Sequence, residues 1–202
     1  GVTLDADITV GSWSMLEIRN GLTLANGHQV VLNQTSGTST LNFTGGNQTL
    51  AGNGEVVFGG SSSNNVLSSN LDAGQTLTID AGITVHGGAG GRGGTIQANT
   101  AIRNQGTIAA DVSGQTIFLT GNGLSNAGTL SAQGGGTLQL DGGYATAGVG
   151  TLLNDGTSAI LLSGTLDNRG ETLTLADAAG TLYLTYGSSG AGRIQGGTVR
   201  TV

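Results

Sequence analysis

Carboxylates are the most numerous side chains in this sequence that could carry out chemistry. Paired acids are what glycoside hydrolysis requires. On a coiled chain, Asp141 could approach Asp167 across neighbouring coils, and Asp155 could approach Asp177. No surrounding motif marks either pair, and twelve scattered carboxylates produce such neighbours by chance, so we predict no catalytic residues and no enzyme. The twelve are Asp5, Asp7, Glu17, Glu55, Asp72, Asp80, Asp111, Asp141, Asp155, Asp167, Glu171 and Asp177.

Metal binding and cofactor binding have little support in the sequence. A metal site usually needs three or four ligands at characteristic spacing. The chain has no Cys, and its only histidines, His28 and His86, are far apart in sequence. We expect both to be solvated turn residues. Asp5–Asp7 is too short for a calcium loop. The run Gly87–Gly94 lacks the Gly-Lys-Ser/Thr ending of a phosphate loop, and we expect a flexible loop there.

Aromatic residues and glycosylation sequons are the remaining candidates for recognition. The rare Trp and Tyr residues are Trp13, Tyr144, Tyr183 and Tyr186. In the stretch 181–186, alternation puts Leu182, Leu184 and Tyr186 on one face, so Tyr183 is predicted to point outward, where it could stack on a sugar or on another subunit. Three Asn-X-Thr sequons begin at Asn33, Asn42 and Asn47, as an Asn/Thr-rich composition would produce in any case.

The composition excludes several classes of protein. The chain has 40 Gly but no Pro, and collagen needs both. The net charge of −6 makes nucleic acid an improbable partner, because phosphate binding needs a basic patch. No apolar run approaches the ~20 residues of a membrane helix. The sequence starts at Gly1 without a leader, which suggests processing or excision from a longer chain.

An internal repeat of roughly 20–22 residues is the strongest signal in the sequence. Two series of apolar positions run in parallel through the second half of the chain with a nearly constant offset. Within each copy, apolar residues alternate with polar ones, as in strands with one buried face. One series contains Ile96, Ile117, Leu138, Ile160 and Leu182, each after Thr or Ala, and the other contains Ile108, Leu130, Leu152, Leu173 and Ile194.

This pattern predicts an all-β, single-stranded, right-handed parallel β-helix of about nine coils of roughly 20–22 residues. One coil cannot bury its apolar face alone, but stacked coils share a continuous core. The right-handed sense follows from the bias of parallel crossovers. No segment has helical periodicity. We predict a single domain over 1–202, with irregular coils and longer loops in 1–94 and five regular coils in 95–202.

The first half contains recognisable strands at uneven intervals. Thr3-Leu4 recurs as Thr23-Leu24, at an interval that fits one coil. We expect longer loops to account for the later variation, notably at 61–65 and 87–94. The predicted strands are Val2–Leu4, Ile8–Val10, Leu22–Leu24, Val30–Leu32, Leu41–Phe43, Val56–Phe58, Leu77–Ile79 and Ile83–Val85.

Four asparagines lie two residues before a glycine and suggest turns. Asn tolerates the left-handed conformation and Gly adopts it freely, so such pairs suit sharp corners between strands. Stacked Asn side chains can also form a hydrogen-bonded ladder. The four residues are Asn104, Asn126, Asn154 and Asn168.

The repeat Leu124-Ser-Asn126-Ala-Gly128-Thr-Leu130, with relatives at Ile102–Ile108 and Leu166–Leu173, resembles repeats of large bacterial surface proteins. It is similar to those of filamentous-haemagglutinin-like exoproteins and autotransporter passengers, as is the stretch Asn47–Val57. The resemblance covers most of the chain and implies a right-handed β-helix, an extracellular or cell-surface location and a role in adhesion or surface structure.

Our main functional hypothesis is a structural or interaction module of an extracellular bacterial fibre, filament or adhesin. Strand-like sequence runs from Val2 to Val202 with no polar cap, and uncapped end coils would pair with other strands. Expected partners are copies of the chain, end to end, or neighbouring repeats of a longer chain, with surface glycans as a further possibility. Alternatives are a carbohydrate-binding adhesin module, a β-helical polysaccharide-active enzyme and an ice-binding face. The ice-binding face would consist of Thr95, Thr116, Thr137 and Thr181.

Overall fold

The computed structural model describes residues 1–150, 152–176 and 181–201 and shows an all-β chain with one helical turn. In chain order the elements are β1 (Val2–Leu4), β2 (Ile8–Val10), β3 (Ser14–Ile18), β4 (Leu22–Leu24), β5 (Gln29–Leu32), β6 (Ser39–Gly45), β7 (Gln48–Gly52), β8 (Gly54–Phe58), β9 (Asn65–Leu71), β10 (Thr76–Ile79), β11 (Ile83–Gly87), β12 (Gly93–Ala98), β13 (Ala101–Asn104), β14 (Thr107–Ala110), β15 (Thr116–Gly121), β16 (Leu124–Asn126), β17 (Thr129–Ala132), β18 (Thr137–Ala145), α1 (Thr146–Val149), β19 (Leu152–Asn154), β20 (Ala159–Leu162), β21 (Thr165–Asp167), β22 (Thr172–Ala176), β23 (Leu182–Leu184), β24 (Tyr186–Gly187), β25 (Gly190–Ala191), β26 (Arg193–Gln195) and β27 (Thr198–Thr201).

Three parallel sheets run along the molecule, and each coil contributes a strand to them in turn. Sheet A has the order β1-β4-β7-β10-β13-β16, and sheet B has the order β2-β5-β8-β11-β14-β17-β19-β22-β27. Sheet C has the order β3-β6-β9-β12-β15-β18-β20-β23, with β21 and β26 stacked on the end of β18. The only antiparallel pair among the described residues is the hairpin β24–β25. The predicted parallel β-solenoid is therefore confirmed, while its right-handed sense stays a prediction.

The solenoid has about eight turns rather than the nine expected. The predicted repeat length holds for the first coil, where Thr3 stacks on Thr23, and for coils in the second half. Between them the coils are longer, because Leu22 stacks on Leu50, and Leu50 stacks in turn on Ile79. Each coil advances roughly 4.8 Å along the axis. Because the longer coils use more residues for each advance, the chain forms fewer turns than expected.

Apolar side chains form columns that run along the inside of the solenoid. One column in sheet B and one in sheet C each contain eight residues in register, and their central members are fully buried. Burial of each such side chain contributes about 1.5–3 kcal/mol. The sheet B column is Ile8, Val30, Val56, Val85, Ile108, Leu130, Leu152 and Leu175. The sheet C column is Leu16, Leu41, Leu67, Ile96, Leu119, Leu140, Leu162 and Leu184.

The predicted register was correct for most of the repeat and wrong by two residues at its ends. Ile117 stacks on Leu138, and Ile160 on Leu182, but Ile96 stacks on Leu119. In the second series Leu152 stacks on Leu175 rather than on Leu173. A shift of two keeps the same side chains inside, because strand side chains alternate with period two.

Ile194 is the second residue of the series that begins at Ile108 whose predicted stacking partner was wrong. It stacks on Leu166, outside sheet B, because the chain forms the extra hairpin β24–β25 before reaching it.

All eight strands predicted in the first half are present, and three were missed. The missed strands are β3, β7 and β9. A further difference is α1, a single helical turn that lies beside β16, where the sequence predicted no helix.

Candidate functional site

Each histidine lies close to two carboxylates from neighbouring coils. His28 is a partly exposed residue beside a turn, as expected, whereas His86 lies within β11 and is less exposed. His28 Nδ1 is 2.9 Å from Asp7 Oδ1, and its Nε2 is 3.5 Å from Asp5 Oδ1. His86 Nδ1 is 3.1 Å from Asp111 Oδ2, and its Nε2 is 3.4 Å from Glu55 Oε2. The sequence could have indicated these contacts through spacing, because each carboxylate lies about one coil length along the chain from its histidine.

These acid–histidine–acid clusters connect coils to one another. Both ring nitrogens of each histidine face a carboxylate. The hydrogen bond from His28, followed by one from the Gln29 backbone N–H, lowers the pKa of Asp7. In the part of the chain that the structure describes, no three or more His, Asp or Glu side chains could hold a metal ion.

Asp141 and Asp167 each bond to partners other than one another. Asp167 is 2.6 Å from the guanidinium of Arg169, whose hydrogen bonds lower the pKa of Asp167 to about 2. Asp155 accepts a hydrogen bond from the Gly134 backbone N–H at 2.6 Å, which lowers its pKa to about 2. Its suggested partner Asp177 lies outside the described residues.

Asp141 instead anchors the hairpin β24–β25, which lies much further along the chain. The hairpin leaves the coil after Thr185 and folds back over Ser163 to reach Asp141. The carboxylate accepts hydrogen bonds from Ser188 N at 3.0 Å, from Ser188 Oγ at 2.6 Å and from Ser189 N at 2.8 Å. Burial raises the pKa of Asp141, but these hydrogen bonds outweigh burial and lower it overall. The carboxylate therefore holds the hairpin as an anion.

A groove of about 520 Å³ lies between this hairpin and the outer face of sheet C. Tyr186, Gly187 and Ser188 of the hairpin form one side. Sheet C provides the opposite surface with Thr95, Phe118, Thr120, Gln139 and Asp141. The groove combines two aromatic rings with hydroxyl and amide groups.

The aromatic residues divide between the core and this region. Tyr144 is buried and donates its hydroxyl hydrogen bond to Leu119 O at 2.6 Å. Tyr183 points outward as predicted, with 51% of its surface exposed. Tyr186 does not share the inward face of Leu182, because it belongs to the hairpin and is 80% exposed. Phe118, which was not among the predicted aromatic candidates, stacks in register between Thr95 and Gln139.

The glycine run 87–94 is not a long loop, because both of its ends belong to strands. β11 ends at Gly87, and β12 begins at Gly93. Gly91 and Gly94 lie against Phe58, where a Cβ atom would overlap the Phe58 carbonyl oxygen or ring. The run is therefore a closely packed corner, and Gly permits this approach of one coil to the next.

The sequons differ in accessibility. Asn33 and Asn47 are exposed, whereas Asn42 is buried in β6 and accepts a hydrogen bond from Asn70 Nδ2 at 2.7 Å. Modification of Asn42 in the folded state would break that contact.

Comparison with known proteins gives no relative: no family model, curated protein sequence or solved structure matches this chain. The described residues contain no helix long and apolar enough to span a membrane.

Proposed function

We propose that this chain is a structural module of an extracellular fibre, filament or adhesin, and that copies stack end to end through their terminal coils. The observation that carries the proposal is that the outermost described strands pair on one side only, which leaves an edge for another copy or for a neighbouring repeat of a longer chain. β2 and β3 pair on one side only, as do β23 and β27 among the described residues. Unpaired strand edges present backbone N–H and C=O groups to another chain.

The two ends are complementary in strand direction. Sheets B and C are parallel throughout and reach both ends, so one end offers the side of a ladder that the other end lacks, whereas sheet A ends at β16. Contact between two different ends of identical molecules is heterologous and propagates as a filament.

Only sheet B continues without interruption across such a contact. Sheet B has nine strands and the main path of sheet C has eight, so when β2 of the next copy follows β27, one strand position of sheet C stays open between Leu184 and Leu16 of that copy. Leu184, Tyr183 and Met15, which border this position, are exposed in the isolated molecule.

Charge complementarity favours the same contact. Residues 1–24 contain Asp5, Asp7, Glu17 and Arg19, whereas the charged residues of 181–202 are Arg193 and Arg200. The sheet B column ends at the register position of Thr201, so Ile8 of the next copy would follow it and Asp7 would lie over Arg200. Opposite charges at the two ends select the head-to-tail orientation.

Sedimentation velocity and negative-stain electron microscopy test this proposal on the whole chain. We expect rods that lengthen with protein concentration and shorten in about 1 M salt, which screens the charge pairs. Arg200→Glu should leave single molecules, whereas Arg103→Glu, an exposed charge reversal in sheet A away from both ends, should assemble like the parent. Particles that stay monomeric up to about 1 mM, which corresponds to roughly 4 kcal/mol of association, would overturn it.

A further inference from the structure

The outer face of sheet C carries a track of side chains suited to a ligand that lies along the solenoid axis. Thr95, Phe118, Gln139, Leu161 and Tyr183 stack in register on five successive coils. At roughly 4.8 Å per coil, the track is about 19 Å long. Phe118, the second residue of the track, is half-buried, and Tyr183 at its far end is exposed.

The hairpin β24–β25 turns this track into a groove with a fixed side. Asp141 holds Ser188 and Ser189 through their backbone N–H groups, and Ser189 Oγ also donates to Asp141 O at 3.1 Å. Gly187 lies directly against Ser163, where a Cβ atom would contact the Ser163 hydroxyl. These contacts fix the backbone next to Tyr186 on the side of the groove opposite Phe118, and such preorganisation reduces the entropy cost of binding.

The polar groups around the two rings are uncharged or already occupied. Thr95, Thr120 and Ser188 provide hydroxyls, and Gln139 provides an amide whose Nε2 donates to Ser163 Oγ at 2.8 Å. Both Asp141 carboxylate oxygens accept hydrogen bonds from the hairpin. None of the residues that line the groove is basic.

This combination selects one class of ligand. A pyranose ring has a face of C–H groups, which packs on the negative face of an aromatic ring, and a rim of hydroxyls, which hydrogen-bond to hydroxyl and amide side chains. A single-stranded nucleic acid also stacks on aromatic rings, but its phosphates need a basic groove. Acidic polysaccharides also need basic side chains in the groove, because their sugar units are negatively charged.

We infer that this groove binds a neutral oligosaccharide chain that lies along the solenoid axis, with sugar rings packed on Tyr186 and Phe118. The residues that line the groove lie on the flank of the rod and, unlike Tyr183 at the end of the track, do not belong to the strand edges proposed to stack. Sugar binding and end-to-end assembly can therefore succeed or fail independently.

Isothermal titration with xylohexaose and cellohexaose, two neutral β-linked hexasaccharides, tests the inference on the whole chain. We expect saturable binding of at least one of them, and Tyr186→Ala and Phe118→Ala should each weaken it by about tenfold or more, equivalent to ~1.4 kcal/mol. Trp13→Ala is the matched control, because Trp13 is also exposed, at 78%, but lies beside the first strand of sheet C. That variant should bind like the parent.

Several outcomes would overturn the inference. Failure of both hexasaccharides to bind at about 10 mM would do so, as would unchanged affinity in Tyr186→Ala. Tighter binding of hexagalacturonate or of a single-stranded oligonucleotide would show that the groove selects anions instead. Circular dichroism of each variant, compared with the parent, distinguishes loss of a contact from loss of the fold.

Discussion

Two of the four asparagines form the predicted hydrogen-bonded ladder, which lies at the corner between sheets A and B. Asn104 and Asn126 are buried and stack in register, and Asn104 Nδ2 donates to Asn126 Oδ1 at 2.7 Å. The ladder does not include Asn154, which lies at the end of β19 in sheet B, or Asn168, which bonds to Thr146 Oγ1 at 2.7 Å. None of the four has the left-handed conformation expected at these turns.

Replacement of Asn126 tests the energetic contribution of this ladder. Its Nδ2 donates to Val149 O at 3.0 Å and to Gly128 O at 3.1 Å. Asn126→Ala leaves buried carbonyl oxygens without these donors, so we expect the free energy of unfolding to fall by about 1–3 kcal/mol. Urea unfolding followed by circular dichroism measures this loss. Asn53→Ala, at an exposed position, should change it by less than about 0.5 kcal/mol; equal effects of the two substitutions would contradict the prediction.

Acid should destabilise the fold through carboxylates that are bonded only in the native state. The pKa values of Asp155 and Asp167 are lowered to about 2, by the Gly134 backbone N–H and by Arg169 respectively. An Asp in the unfolded chain titrates near 3.9. A carboxylate whose pKa is lower in the native state than in the unfolded state stabilises the fold at pH values above its unfolded pKa. This contribution is lost as the pH falls through the native pKa.

The expected result is a urea midpoint that falls between about pH 4.5 and pH 2. The double variant Asp155→Asn with Asp167→Asn should show a smaller fall over the same range, because two of the responsible groups are absent. A midpoint that rises or stays constant from pH 4.5 to pH 2 would show that these carboxylates do not couple to folding.

At the scale of elements, the apolar alternation predicted most strands but missed β9, where polar residues share the buried positions with Leu67 and Leu71. β9 has Asn65, Ser68 and Ser69 buried. Asn65 Nδ2 donates to Gly93 O at 3.0 Å, and Ser69 Oγ donates to Thr100 O at 3.1 Å, so these side chains are satisfied by the next coil. Periodicity cannot reveal such a strand, because its partners belong to another coil.

The candidate site was less predictable than the fold. Column register, which follows from repeat spacing, would place Phe118 next to Gln139 and Leu161 next to Tyr183. The contact of Asp141 with Ser188 and Ser189 interrupts the repeat, since the hairpin crosses two coils. No local pattern in the sequence specifies where an inserted hairpin folds back.

Close stacking of coils depends on glycine at particular corners, and Gly128 provides a test. A Cβ atom at Gly128 would overlap the carbonyl oxygen of Gly106 on the preceding coil, whereas a Cβ atom at Gly46 would have nothing within 4 Å. We expect Gly128→Ala to cost about 3 kcal/mol, at the upper end for overpacking. Gly46→Ala should be neutral or slightly stabilising, because Ala reduces the entropy of the unfolded chain. Thermal or urea unfolding of the pair measures the difference, and similar stabilities would contradict close packing at Gly128.

At the scale of the whole molecule, the solenoid is one-dimensional: each coil contacts mainly the coils before and after it. Stability is then a sum of coil and interface terms, and the end coils, which have one interface each, are the weakest. Leu4, Ile8 and Leu16 of the first coil are only partly buried, as are Leu182 and Ile194 near the other end. The proposed stacking contact would supply the missing interface to both ends at once.

Amide hydrogen exchange measured at several protein concentrations tests this coupling directly. If copies stack, exchange in β2 (Ile8–Val10) should slow as concentration rises, by about tenfold when free ends are at roughly nine times the dissociation constant. Exchange in β15 (Thr116–Gly121), paired on both sides within one molecule, should not depend on concentration. Arg200→Glu should remove the concentration dependence in β2 and leave β15 unchanged. Concentration-independent exchange in β2, in a sample that still forms rods, would show that the rods grow through a surface other than the strand edges.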